Sequence, residues 1–139
     1  MDIKRTILLI PFLVCMISAP ALANVVIDFE GLNDQDVVTT QFPGLVFSNT
    51  LALTAGFVGG SLNELENPPR SGVTVITDAG GPISIQFLNP ISNFGGYFTY
   101  AVPLAVSAFD QIGNPLGSQN SLFSNNQALS GVEIGRAHV

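Results

Sequence analysis

The sequence predicts an all-β protein, an antiparallel β-sandwich, and three observations predict it. No stretch carries apolar residues at i, i+3, i+4 and i+7 over three turns, and Gly or Pro interrupts nearly every window. Short segments alternate apolar and polar residues with the period of two that a half-buried strand requires. Turn residues (Gly, Pro, Asn, Asp) separate those segments at the close spacing found in all-β domains.

Taken in order, "VVIDF" places Val25, Ile27 and Phe29 on one face of a first strand. "GLVFSNTLAL" (44–53) reads as a second strand from its β-branched and aromatic content. "VTVIT" (73–77) and the segment 83–88 flank the turn Asp-Ala-Gly-Gly-Pro, so they are expected to pair as a hairpin. "NFGGYFTY" (93–100) forms the next strand, with Phe94, Phe98 and Tyr100 facing the core and Tyr97 with Thr99 opposite. "LAVSAFD" and "PLGSQ" make a second hairpin across Gly113 and Asn114. The one long irregular stretch is 54–72, "TAGFVGGSLNELENPPRSG", where Arg70 is expected to pair with Glu64 or Glu66.

The N-terminus reads as an export signal. "MDIKR" is basic, "TILLIPFLVCMIS" is apolar but short and interrupted by Pro11, and "APALA" ends in an A-x-A site. Residues 1–23 are therefore a signal peptide, cut between Ala23 and Asn24. Cys15 leaves with it, and Val14 before it lacks the small side chain a lipoprotein site needs, so neither disulfides nor thiol chemistry serve the mature domain. Between residues 24 and 132 one base, Arg70, faces eight acids, a formal charge of −7. A chain so charged lacks the basic footprint for nucleic acid or anionic lipid, and it suits an acidic, soluble exported protein.

Four segments, "VIDFEGL", "TQFPGLVFSN", "FGGYFTY" and "AFDQIGNPLGS", together resemble the exported bacterial proteins of the PEP-CTERM class. The resemblance implies a jelly-roll-like sandwich. It also implies a tail, made of a Val-Pro-Glu-Pro motif, one membrane helix and a basic end, that is handled by an exosortase. It makes the protein a non-enzymatic cell-surface or extracellular-matrix component, with exopolysaccharide or other surface glycans as partners. The chain closes instead on "EIGRAHV", and the codons for Ile-Gly-Arg-Ala-His-Val-stop match a common short-read sequencing adapter in one frame. The expected organisation is thus a sandwich over 24–132, incomplete at its C-terminus, with 133–139 an artefact.

Without His138 and Cys15, residues 24–132 offer no His or Cys for a Ser-His-Asp, Cys-His or His-ligated metal site. Carboxylates remain. Asp28 and Glu30, at i and i+2, project from one face of the expected first strand and are candidate ligands of a structural calcium ion, with Asp34 and Asp36 in the loop beyond. Tyr97 is the candidate aromatic platform for a sugar. A calcium-dependent carbohydrate-binding module is the alternative reading, and a glycoside hydrolase fragment built on two of the acids is a further one.

Overall fold

The computed structural model describes residues 25–128 and 136–138. The expected signal peptide with its Ala23–Asn24 junction, and most of 133–139, lie outside those residues. Regular structure is almost wholly strand: β1 (Leu45–Ser48), β2 (Thr50–Thr54), β3 (Thr74–Asp78), β4 (Ser84–Phe87), β5 (Gly95–Tyr97), β6 (Ala105–Phe109), β7 (Pro115–Asn120) and β8 (Arg136–His138). The described helical content is one 3-10 turn, Gly56–Val58. The strands form antiparallel pairs, β1 with β4, β2 with β3, β5 with β8 and β6 with β7. All-β is therefore the fold class.

The segment 44–53 is not one strand. Asn49 adopts a left-handed conformation, φ 58°, which a β-strand cannot contain and which Asn tolerates better than most residues. On the near side Leu45 and Phe47 pair with Phe87 and Ile85; on the far side Ala52 pairs with Ile76 and Thr50 with Asp78. Burial therefore changes phase at the bend. Phe47 is buried before it, whereas Thr50 and Ala52 are buried after it and Leu51 and Leu53 stay half-exposed.

The expected hairpin between 73–77 and 83–88 is not formed, because β3 pairs with β2 and β4 with β1. The two pairs are successive halves of one bent ribbon. Residues 79–83 make an excursion opposite the single residue Asn49, whose carbonyl accepts from Ala79 N at 3.1 Å and whose Nδ2 donates to Pro82 O at 3.2 Å. A five-residue turn rich in Gly suits a bend as well as a hairpin, and only the register tells them apart.

The expected first strand, 25–29, has no ladder partner among the described residues. Val25 is 82 % exposed, and Phe29 takes φ 63°, turning the chain before pairing could continue. The following residues provide the edge partner instead. Val38 N donates to Thr50 O at 2.9 Å, Ala52 N to Asp36 O at 2.9 Å and Gln35 N to Ala52 O at 2.7 Å, so residues 35–38 line the side of β2 away from β3. The chain reaches β1 through Phe42-Pro43-Gly44-Leu45, a turn closed by Leu45 N to Phe42 O at 3.1 Å, with Pro43 and a positive-φ Gly44 (81°) in the central positions that type II geometry favours.

The core lies where these pieces meet. Val38, Phe47 and Ala52 are buried together, with Phe29, Leu32, Phe42, Leu45, Ile76 and Ile85 packed against them. Phe29, Phe42 and Phe47 make three mutual edge-to-face contacts with centroids 5.4, 5.9 and 6.1 Å apart, the arrangement that aromatic quadrupoles prefer.

β5, β6 and β7 are less buried. The expected hairpin over 104–119 is present as β6–β7, with a register shift at Ala108/Phe109 and every residue of β7 exposed. In the expected strand 93–100, Gly95–Tyr97 pairs with β8 in the register Gly95↔His138. Phe94 packs edge-on against Phe87 at 5.8 Å. Beyond β5 a side chain replaces a strand: fully buried Asn126 accepts from Tyr100 N at 2.8 Å, donates to Phe98 O at 2.8 Å, and its own N donates to Tyr100 O at 3.0 Å.

Two outcomes follow. Phe47→Ala removes the ring shared by both other aromatic partners and should cost about 3–5 kcal/mol, read from urea unfolding. Asn126→Ala strands the part-buried Tyr100 N–H and Phe98 C=O, at up to about 1–3 kcal/mol each; Asn126→Asp keeps the acceptor for Tyr100 N but has no donor for Phe98 O and buries a charge, so it should not restore stability, and an Asn126→Ala protein as stable as the parent would show the clamp to be dispensable.

Candidate functional site

The carboxylates have a common use that their spacing in the sequence does not show. Of the eight acids between residues 24 and 132, seven accept a backbone N–H: Asp28, Glu30, Asp34, Asp36, Glu64, Asp78 and Asp110. Three of these are local turn bonds, from Glu30 N to Asp28 (3.2 Å), Gly80 N to Asp78 (3.0 Å) and Asn33 N to Asp36 (2.8 Å). Asp110 collects Ile112 N and Asn114 N and so builds the β6–β7 turn.

Glu30, Asp34 and Glu64 converge on one feature, the long segment 54–73. Glu30 Oε1 accepts from Val73 N and Thr74 N, both at 2.9 Å, and so anchors its end. Gly72, at φ 60°, lies so close that a Cβ there would overlap the Glu30 carboxylate. Asp34 Oδ1 accepts from Thr54 N (2.8 Å), Ser61 N (3.1 Å) and Ser61 Oγ (3.0 Å), tying the start of the segment to its middle. Glu64 Oε2 accepts from Gly56 N at 2.8 Å. With Leu62 N donating to Thr54 O, these bonds fold the segment back on β2 and bury Ala55 and Leu62.

The bonds also set the acidity. Those from Thr54 N and then Ser61 N hold Asp34 below the ordinary carboxylate range. Glu64 is lowered by its own N–H and then by that of Gly56, and Asp110 by the backbone and then the side chain of Asn114. A carboxylate accepting several N–H groups favours its charged form.

Asp28 and Glu30 do not project from a strand face, because Phe29 between them is left-handed and no strand forms there. One oxygen of each is already bonded to backbone N–H groups. The two remaining oxygens are a small part of the six to eight that calcium takes. Tyr97, on β5, is 46 % exposed, and the Arg70 guanidinium carbon lies 4.7 Å from its ring centroid, a cation–π contact on the face a sugar would use. Among the described residues no ion pair joins Arg70 to Glu64 or Glu66, so the expected pairing is replaced by this stacking.

A groove of about 430 Å³ runs beside β3, lined by Ile76, Thr77 and Asp78 of that strand with Ile83, and by residues 98–104 from the other direction. Asn67 and Gln127 close one part of it and are joined by a hydrogen bond at 3.2 Å. No motif in the sequence marks it, because its two walls lie some twenty residues apart in the chain.

No family model, curated protein or solved structure matches the chain.

The lowered carboxylates make stability depend on acid. Above the ordinary carboxylate range of about 3.9–4.3 they are ionised in both folded and unfolded states and stabilise fully. As pH falls below that range the unfolded chain takes up protons first, and stability drops until the lowered folded values are passed. Urea midpoints should therefore fall as pH is lowered from about 5 through the ordinary carboxylate range. Asp34→Asn should flatten the slope and speed amide exchange at Ser61; an unchanged slope would show that Asp34 is not a structural anchor.

Proposed function

We propose that this chain is an exported, non-enzymatic surface or matrix protein of the PEP-CTERM sorting class, built as a jelly-roll-like sandwich. The observation that carries the reading is the use of the carboxylates: seven side chains that could have served acid–base or ligand chemistry hold backbone instead. Acids deployed in that way suit a scaffold. The export half of the reading is supported by the basic start, short apolar run and A-x-A site before Asn24. The sandwich is supported by the Asn49 bend, since strands that leave one sheet for another do so at bends or bulges.

Expression in a Gram-negative host should yield a product outside the cytoplasm whose first residue is Asn24, read by N-terminal sequencing and intact mass. A soluble cytoplasmic product retaining Met1 would end this proposal.

A further inference from the structure

The register of β2 with its two neighbours fixes which backbone groups of β3 face outward. Thr50 O and Ala52 N and O bond to residues 35–38, and Thr54 N and O bond to Asp34 and Leu62. The odd-numbered residues therefore bond to β3, as Ala55 N to Val73 O (2.8 Å) and Ala79 N to Asn49 O (3.1 Å) show at either end of the ladder. Thr74, Ile76 and Asp78 then turn their N–H and C=O groups away from β2. Thr74 N is covered by the Glu30 carboxylate. Among the described residues no strand pairs with the groups of Ile76 and Asp78, and both residues line the groove.

We propose that this groove binds an extended peptide segment of a partner protein, added as a strand to the outer edge of β3. Three features define the occupant. The outward N–H and C=O groups of Ile76 and the N–H of Asp78 are spaced for main-chain pairing, which a strand satisfies in full. Ile76, Ile83, Phe98 and Leu104 give the groove apolar surface, which asks for apolar side chains on the partner. Its lining holds one carboxylate, Asp78, and no base, within a region of formal charge −7, so the complementary segment is cationic. Glu30 stops pairing from extending past Thr74, so the site takes a short segment. This inference does not depend on where the protein is exported.

The test uses the whole 139-residue chain and a fluorescein-labelled, C-terminally amidated peptide, Lys-Val-Thr-Val-Lys, followed by anisotropy and by amide exchange in NMR spectra. Binding should slow exchange of the Ile76 and Asp78 amides by about tenfold or more, and N-methylating the two valines of the peptide should weaken binding by about tenfold, the loss of one or two hydrogen bonds. Asp78→Asn should weaken it by several-fold while Asp110→Asn, remote from the groove in sequence and in its bonds, leaves it unchanged. Because the N-methylated peptide alters only the ligand, a folding defect in a variant cannot imitate the result. Equal binding of the methylated peptide, unaltered Ile76 and Asp78 exchange, or displacement by a neutral chito-oligosaccharide would each overturn the proposal. So would self-association, by light scattering, that protects those two amides without peptide, since the occupant would then be a second copy.

Discussion

The structure depends on carboxylates placed against backbone N–H groups. Among the described residues the buried apolar set is small, Val38, Phe47, Ala52, Ala55 and Leu62, and the chain between strands is long and irregular. Irregular backbone leaves donors that no ladder satisfies, and leaving them unpaired away from water is costly. Glu30 and Asp34, four residues apart, supply acceptors for Val73, Thr74, Thr54 and Ser61, which belong to both ends and the middle of one segment. That arrangement lets Leu62 be buried without a strand of its own. It also explains how an acidic chain with a single base between residues 24 and 132 tolerates its charge: the negative groups face backbone dipoles, not cations.

The aromatic contacts and the carboxylates are linked through a single turn. Phe29 is left-handed, and that conformation directs its ring toward Phe42 and Phe47 while Glu30 reaches β3. A straight strand through 25–30 would send neighbouring side chains to opposite faces and would satisfy its own N–H groups in a ladder. The segment instead contributes Phe29 to the aromatic cluster and Glu30 to Val73 N and Thr74 N at the start of β3.

Much of the strand content is legible in the sequence, and so is the local β6–β7 hairpin, but the long-range pairing is not. The alternation in "ISIQF" places Ile85 and Phe87 on one face, and the turn chemistry of Asp110, Gly113 and Asn114 joins β6 to β7 without need of distant information. For 73–88 the local signal is equally good and misleads, because the partner of β3 is chosen by the Asn49 bend some twenty-five residues earlier. Within "GLVFSNTLAL" the buried positions shift from odd to even at Asn49, and a period-two reading buries Leu51 and Leu53 where the structure buries Thr50 and Ala52. For the carboxylates, residue type and spacing suggested a metal; only the three-dimensional neighbours, Val73 and Thr74 for Glu30, show what Glu30 holds. Asn126 is similar, since an Asn in a polar stretch gives no sign that it is fully buried against Phe98 and Tyr100.

The bend at Asn49 divides the ribbon into a part whose length is fixed and a part whose length is free. Residues 79–83 are hydrogen-bonded to it through Ala79 N and Pro82 O, and the two ladders on either side are set by their own cross-strand pairs. Extra residues placed between Gly80 and Gly81 would lengthen only the excursion and leave Ser48↔Ser84 and Thr50↔Asp78 in place. One residue added beside Asn49 would instead turn either Phe47 or Ala52 out of the core. Natural length variation, an epitope tag or a fluorophore attachment point therefore belongs in the excursion, while the facing strand admits substitutions and no insertions.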